Sequence, residues 1–348
     1  MRLTPQQLNR TLLQRQHLLE RSSTGHHEMV GHLVGLQAQE NLPPYLSLAA
    51  RLRDFDPGDV TVALDDRSLV RLVCMRGTIH LLTADDALTL RQWTQPCQER
   101  ERTSSQNTKP ALHLDTDAVN AAISKALVNG PLPVKALGEA LADEFPGVPA
   151  NALAHLARVN QPLAQLPPRG GWKRSGGVVY QHVDRWLDRP LLEPDPPEIV
   201  RRYLRAFGPA SAADVTAWSG VPGMAAVLKD MDDLVQHEDE NGKPLLDVPD
   251  GVLAEPDVPA PVRLLGTYDN VWLSHAGRDR VTVKEKRSRW MDVNGAGGST
   301  LLVDGWLEGL WRIEDGKPVV IGTFRRLSRP EQRELDGEFA RVEALLDR

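Results

Sequence analysis

The order of its short helices constrains this chain more than any single motif does. The stretches DTDAVNAAISKAL (115–127), VKALGEAL (134–141) and NALAHLARV (151–159) carry apolar residues at helical spacing. They are followed by GGWKRSGG (170–177), a glycine-rich stretch that ends in Val178-Val179-Tyr180. Three short helices and then a glycine-rich hairpin is the order of a winged helix. The order recurs in IVRRYLRAF (199–207), in GPASAADVTAW (208–218) with a cap at Ser211, and in MAAVLKDM (224–231). A polar hairpin tip, EDENGK (238–243), follows with an Asn-Gly turn and is closed by Pro244. The repetition is one of architecture and not of sequence.

The flanks fill out the layout. Thr4-Pro5 predicts an N-cap and first-turn proline for a helix over residues 4–21. A second helix is predicted over about 26–37, with Met29, Val30, Leu33, Val34 and Leu36 apolar, and a third after Pro43-Pro44. The stretch MRGTIHLL (75–82) predicts a strand, and Thr83 caps the helix after it. A polar run from Trp93 to Pro110 marks a soft boundary. From Val262 the texture becomes strand-like, in LLVDGW (301–306) and VVIGTF (319–324), before a terminal helix over 331–346. The expected fold is therefore α+β and mainly α, with tandem winged-helix motifs and a β-rich C-terminal region. The expected domains are 1–110, a helical or winged-helix region; 111–190, a winged helix with a basic wing; 191–260, a winged helix; and 261–348, a β-rich closing region with the last helix.

At 348 residues and 41% hydrophobic, the chain has ample material for a core, and its length allows two or three domains. No apolar run is long enough to span a bilayer, and the first ten residues lead straight into polar helical sequence. Cys74 and Cys97 make neither a metal spacing nor a CxxC pair, so two buried thiols in a reducing cytoplasm are expected. Phosphate-cradling glycine loops, a GxSxG elbow, HExxH and Cys/His ligand sets are absent. The enzyme classes with loud local motifs are set aside, and no cofactor or metal is expected.

The net charge of −6 argues against general DNA coating but leaves room for a local basic face. Basic residues cluster twice. One cluster is Trp172-Lys173-Arg174 at the predicted wing tip. The other is RDRVTVKEKRSRW (278–290), which includes Arg287 and Arg289. A solvated charged face is the bland explanation. An aromatic beside the basic residues in both stretches favours a surface that tracks a phosphate backbone with a wedge residue.

GLQAQ (35–39) places two amides side by side where a helix must stop before Pro43-Pro44. In a helix, residues i and i+2 lie about 200° apart and could not act together. In extended backbone they point the same way. Gln37 is therefore expected in the last helical turn and Gln39 just past it, with both amides aimed at one cavity. On residues alone, one glutamine capping the helix and the other lying on the surface is the simpler alternative.

GLQAQ (35–39), preceded by RQHLLER (15–21), resembles the AlkZ-type azinomycin-resistance DNA glycosylase family. So do RGTIHLLTAD (76–85), FGPASAADVTAWSG (207–220), LLGTYDNVWL (264–273) and DGWLEGLW (304–311). The blocks run in order over nearly the whole chain, and together they are specific. The resemblance implies tandem winged helices around a DNA-binding channel. It also implies removal of N7-alkylated purines and, in some members, unhooking of interstrand crosslinks. The family's glutamine–aliphatic–glutamine signature falls on Gln37, Ala38 and Gln39, with alanine a small middle residue. An acidic second position marks a related branch, so Gln39 points to the crosslink-repair side.

On that footing the chemistry is coherent. N7 alkylation makes the purine cationic, so it leaves neutral and little acid catalysis is needed. Two carboxamides can orient a water behind the sugar without abstracting much of its proton. No lysine or N-terminal proline nucleophile is evident near the motif, so a monofunctional enzyme is expected. It would act as a cytoplasmic monomer on double-stranded DNA with alkylated or crosslinked purines, with no nucleotide cofactor and no membrane partner. Two rivals stand beside it: a winged-helix transcription regulator without catalysis, and a resistance protein that sequesters the drug itself.

Overall fold

The computed structural model describes residues 1–290 and 298–348. It is a mixed α/β structure, 45% helical and 17% strand, with a small sheet near the C-terminus. Among the described residues, one order of elements comes three times along the chain: helix, short strand, helix, helix and two further strands. It runs through His26–His32, Leu36–Gln37, Pro43–Arg51, Pro57–Asp65, Leu69–Val73 and Ile79–Thr83. It comes again in Thr116–Ala126, Leu132–Pro133, Val134–Glu144, Ala150–Asn160, Leu163–Gln165 and Val179–His182. The third passage is Pro196–Phe207, a bridge at Ala210, Ala212–Ser219, Met224–Lys229, Val235–Glu238 and Pro244–Asp247. The two later passages are the winged-helix orders expected from the sequence.

The described residues form two compact units, one from 1–57, 197–218 and 223–348, the other from 58–196 and 219–222. In the second unit, strand Leu69–Val73 pairs antiparallel with both Ile79–Thr83 and Leu163–Gln165. Strand Val179–His182 joins the latter to Leu132–Pro133. Helix Thr116–Ala126 forms because Asp115 accepts a hydrogen bond from the Ala118 N–H (2.9 Å) and Val119 and Ile123 fall on one face. That face packs with Leu127, Leu137, Leu141, Leu153 and Leu156 into one core at 0% exposure. Each such side chain contributes about 1.5–3 kcal/mol of apolar burial. The polar run after Trp93 forms helix Gln95–Ser104, and Glu101 on it holds Arg158 (2.6 Å) and His155 (3.0 Å).

In the first unit, strands Arg263–Leu265, Ser299–Val303, Trp306–Glu314 and Lys317–Thr323 form an antiparallel sheet, ordered with the last at one edge and the first at the other. Buried Trp311 donates its indole N–H to the carbonyls of Leu265 (3.0 Å) and Thr300 (3.1 Å). The terminal helix Arg329–Asp347 begins at a capping box between Ser328 and Glu331. Three buried ion pairs tie distant segments together: Arg15–Asp247 (2.7 Å), Arg51–Asp269 (2.7 Å) and Arg21–Glu338 (2.6 Å).

Candidate functional site

The helix expected over 26–37 ends at His32. Leu33 is its C-cap, the Val34 N–H donates to the Gly31 carbonyl (3.1 Å), and the Gly35 N–H donates to the Val30 carbonyl (2.9 Å). This is a Schellman closure. Val34 takes φ 51° and Gly35 φ 96°. Two left-handed residues in succession turn the chain out of the helix, so Gln37 lies in the extended pair Leu36–Gln37 and not in a last helical turn. Apolar periodicity through Leu36 hid that break. A β-branched residue at positive φ is a genuine outlier, and Val34 holds it while fully buried.

Gln37 is 6% exposed, Ala38 is 0% exposed, and Gln39 is exposed on a bend. The three residues thus cross from the core to the surface. Ala38 faces packed surroundings, which suits a small aliphatic residue. Next to the bend, Tyr268 also has a left-handed backbone (φ 62°). Burial and then the neighbouring Glu40 carboxylate push its phenol above the usual range.

One residue from the sheet-bearing part of the same unit, Asn270, reaches this turn. Asn270 donates its side-chain N–H groups to the carbonyls of Gly35 (2.9 Å) and Leu33 (3.4 Å). Asp269 accepts both terminal nitrogens of Arg51 (2.7 and 2.8 Å), with both side chains at 0% exposure. Arg51 also donates to the Ser47 hydroxyl (2.8 Å) and to Gln16 Oε1 (3.0 Å).

The basic residues expected at DNA fall on different elements. Trp172, Lys173 and Arg174 sit between strands Leu163–Gln165 and Val179–His182 of the second unit, as a wing tip would. Arg174 pairs with Asp65 (2.8 Å), and the Trp172 backbone N–H donates to the Thr61 hydroxyl (2.8 Å). The wing is thereby folded onto helix Pro57–Asp65. Lys173 is exposed, with its ammonium 5.9 Å from the Trp172 ring centre. Arg287 is exposed on helix Lys284–Trp290 of the first unit, while the side chain of Arg289 lies outside the described residues. In the same basic stretch, Lys286 pairs with Glu308, Arg278 donates to the His275 carbonyl and Arg280 donates to the Pro209 carbonyl (2.6 Å).

Most charged and polar residues of the other sequence blocks hold the fold. Arg15 and Arg21 make the buried pairs named above, and Gln16 donates to the Ala206 carbonyl (2.8 Å). Asp214 closes a turn by accepting from the Ser211 N–H (2.8 Å) and hydroxyl (2.7 Å). His80 is fully buried. Burial, and after it the Arg76 charge, bring its pKa down to about 3, so its imidazole is neutral. Asn270 and Asp269 were missed at the sequence level, although LLGTYDNVWL (264–273) contains both.

Comparison with known proteins gives the family. A model of the DNA glycosylase AlkZ-like family matches residues 30–345. The chain belongs to that family. A curated relative, the interstrand DNA cross-link repair glycosylase of Streptomyces sahachiroi, is 25% identical over 351 residues, covering 95% of this chain and 93% of the relative. The solved structure of Streptomyces sahachiroi DNA glycosylase AlkZ matches with a TM-score of 0.83 at 22% identity, covering 100% of this chain and 98% of that one. At that identity the likeness speaks for the fold. Among the described residues no helix is long and apolar enough to cross a membrane.

Proposed function

We propose that this chain is a monofunctional DNA glycosylase. It hydrolyses the N-glycosidic bond of N7-alkylated purines and unhooks N7-guanine interstrand crosslinks, using a water held by Gln37 and Gln39. It acts on double-stranded DNA as a cytoplasmic monomer. The observation that carries the reading is the placement of Gln37-Ala38-Gln39 where a strained turn leaves the core for solvent, in a chain of a DNA glycosylase family. The cross-link repair activity of the Streptomyces sahachiroi relative is carried over on the same basis.

The alkylated base is a cation, so the C1′–N9 bonding electrons return to a base that departs neutral. The water oxygen bonds to C1′ from the opposite face, and its proton passes to solvent. A carboxamide oxygen accepts a hydrogen bond from that water and fixes its direction but is too weak a base to take the proton outright. Two amides hold one water from two sides, which converts the attack into an oriented, intramolecular-like event. A tethered guanine cannot be flipped freely into a snug pocket, so an exposed Gln39 on a bend suits a lesion reached within the duplex. Lys173, with Trp172 and Arg174, anchors the wing on the DNA, and Arg287 and Arg289 add phosphate contacts. A sequence-reading regulator would instead carry its glutamines on a helix laid in the major groove.

The test is a duplex with one N7-guanine crosslink, incubated with the purified protein and resolved on a denaturing gel. Unhooked strands should appear intact before alkali and break at the lesion after it, and borohydride should trap no protein–DNA adduct. Breaks without alkali, or a trapped adduct, would overturn monofunctional hydrolysis. A crosslink that stays intact, alongside tight binding of the free alkylating drug, would indicate a sequestering protein.

A further inference from the structure

Asp269 and Asn270 are adjacent, buried and polar, and the chemistry above uses neither. The Asn270 amide nitrogen carries two N–H donors, and its partners are the carbonyls of Leu33 and Gly35. Those carbonyls flank Val34. A left-handed non-glycine residue costs about 1–3 kcal/mol and persists only where its surroundings over-determine it. Here the Schellman bonds engage the N–H groups of Val34 and Gly35, and Asn270 engages the carbonyls on either side of Val34. The chain is therefore gripped just before Gln37, at the turn that ends helix His26–His32. Asp269, next to Asn270, holds Arg51 at the far, C-terminal end of helix Pro43–Arg51.

We infer that Asn270 is a positioning residue for the glutamine pair. It fixes where the chain leaves the core after helix His26–His32, and so sets the distance of Gln37 and Gln39 from the sugar under attack. The inference rests on the assignment of those glutamines to the chemistry. A misplacement of about 1 Å costs on the order of 100-fold in rate. Loosening the clamp should therefore slow excision while leaving DNA binding nearly unchanged.

The experiment is single-turnover excision from an N7-alkylguanine duplex by the full-length protein, with lesion-DNA affinity and thermal unfolding measured beside it. Asn270→Asp keeps the shape but loses both donors when ionised; protonated, it regains one O–H. Its rate should fall about 10–100-fold at neutral pH, with affinity within about 3-fold, and the gap to wild type should narrow as pH falls. Asn270→Ala should be slow at every pH. In a Gln37→Ala/Gln39→Ala background, Asn270→Ala should slow the residual rate no further, because the clamp acts only through the glutamines. Asn270→Ser, which keeps a donor in a smaller side chain, carries the test if the other variants do not fold. Its excision should be slowed without loss of affinity.

Wild-type rates in folded Asn270 variants would overturn the inference. So would a loss that is fully additive with the glutamine substitutions, or one that appears equally in affinity. If the glutamine double variant itself excises at the wild-type rate, the assignment of the pair fails first and the clamp with it. If the double variant is inactive while Asn270 variants are normal, the clamp alone fails.

Discussion

Replacing Asp269 by alanine should be among the most damaging single changes in the first unit. Arg51 and Asp269 are both 0% exposed and share two hydrogen bonds, at 2.7 and 2.8 Å. Without Asp269 the guanidinium keeps its bonds to Ser47 and Gln16 but has lost its counter-charge. Breaking a buried pair from one side costs about 3–5 kcal/mol. Asp269 also accepts the Val271 N–H (3.0 Å) and so caps the short helix Asn270–Leu273, worth about 1 kcal/mol more. The expected loss is on the order of 4–6 kcal/mol, a large part of the roughly 5–15 kcal/mol that holds a domain folded. Urea unfolding followed by tryptophan fluorescence should show the midpoint lowered by about 2 M or more, at a slope near 2 kcal/mol per M. An Arg51→Met/Asp269→Leu double replacement removes both charges and should recover most of the loss. A loss under about 1 kcal/mol for Asp269→Ala, or a double replacement as unstable as the single one, would refute the reasoning.

Other expectations follow from named contacts. Burial raises the Glu101 pKa, but the hydrogen bond from His155 and the charge of Arg158 outweigh it and hold the carboxyl below its usual range. Glu101→Gln should therefore cost about 1 kcal/mol at neutral pH, and the difference should vanish as pH falls through that lowered pKa, as urea melts across pH would record. His80 stays neutral down to about pH 3 in the fold, whereas an unfolded histidine takes up its proton near about 6.5. Stability should drop as pH falls between those values, and His80→Gln should drop less over that window. Gly305→Ala would place a Cβ 2.5 Å from Asn9 Oδ1 and 2.6 Å from Arg10 Nη1 at φ 77°, so thermal melts should show a loss of about 2–3 kcal/mol. In salt titrations of lesion-DNA binding, Lys173→Ala should reduce the salt slope by about 1, and Arg174→Ala should change it less because Asp65 already engages that guanidinium.

The winged-helix order over 116–182 was legible because its helices keep a 3.6-residue apolar period and its turns are marked by glycine and proline. The Thr83 cap was legible for the same local reason. Strand Leu69–Val73 was not, since all five of its residues are buried, the charged Arg71 among them, and the sequence shows no apolar–polar alternation to read. The end of the helix at His32 was lost because Val34, a residue that resists left-handed backbone, supplies the turn. The Schellman bonds that close this turn are local, but the side chain that takes the carbonyls on either side of Val34 is not: Asn270 lies 235 residues from Gly35. The glutamine pair itself was visible as a short motif. The contact of Asn270 with the turn before it is defined only by long-range packing, which no window on the sequence contains.

The most direct measurement is excision of a single N7-alkylguanine from an oligonucleotide duplex by the wild-type protein and by a Gln37→Ala/Gln39→Ala variant of matched stability. Alkali-labile abasic sites from the wild type, and a rate at least about 100-fold lower from the variant, are expected if the two amides position the attacking water. Equal rates from the two proteins would contradict the central claim and move the chemistry to other residues.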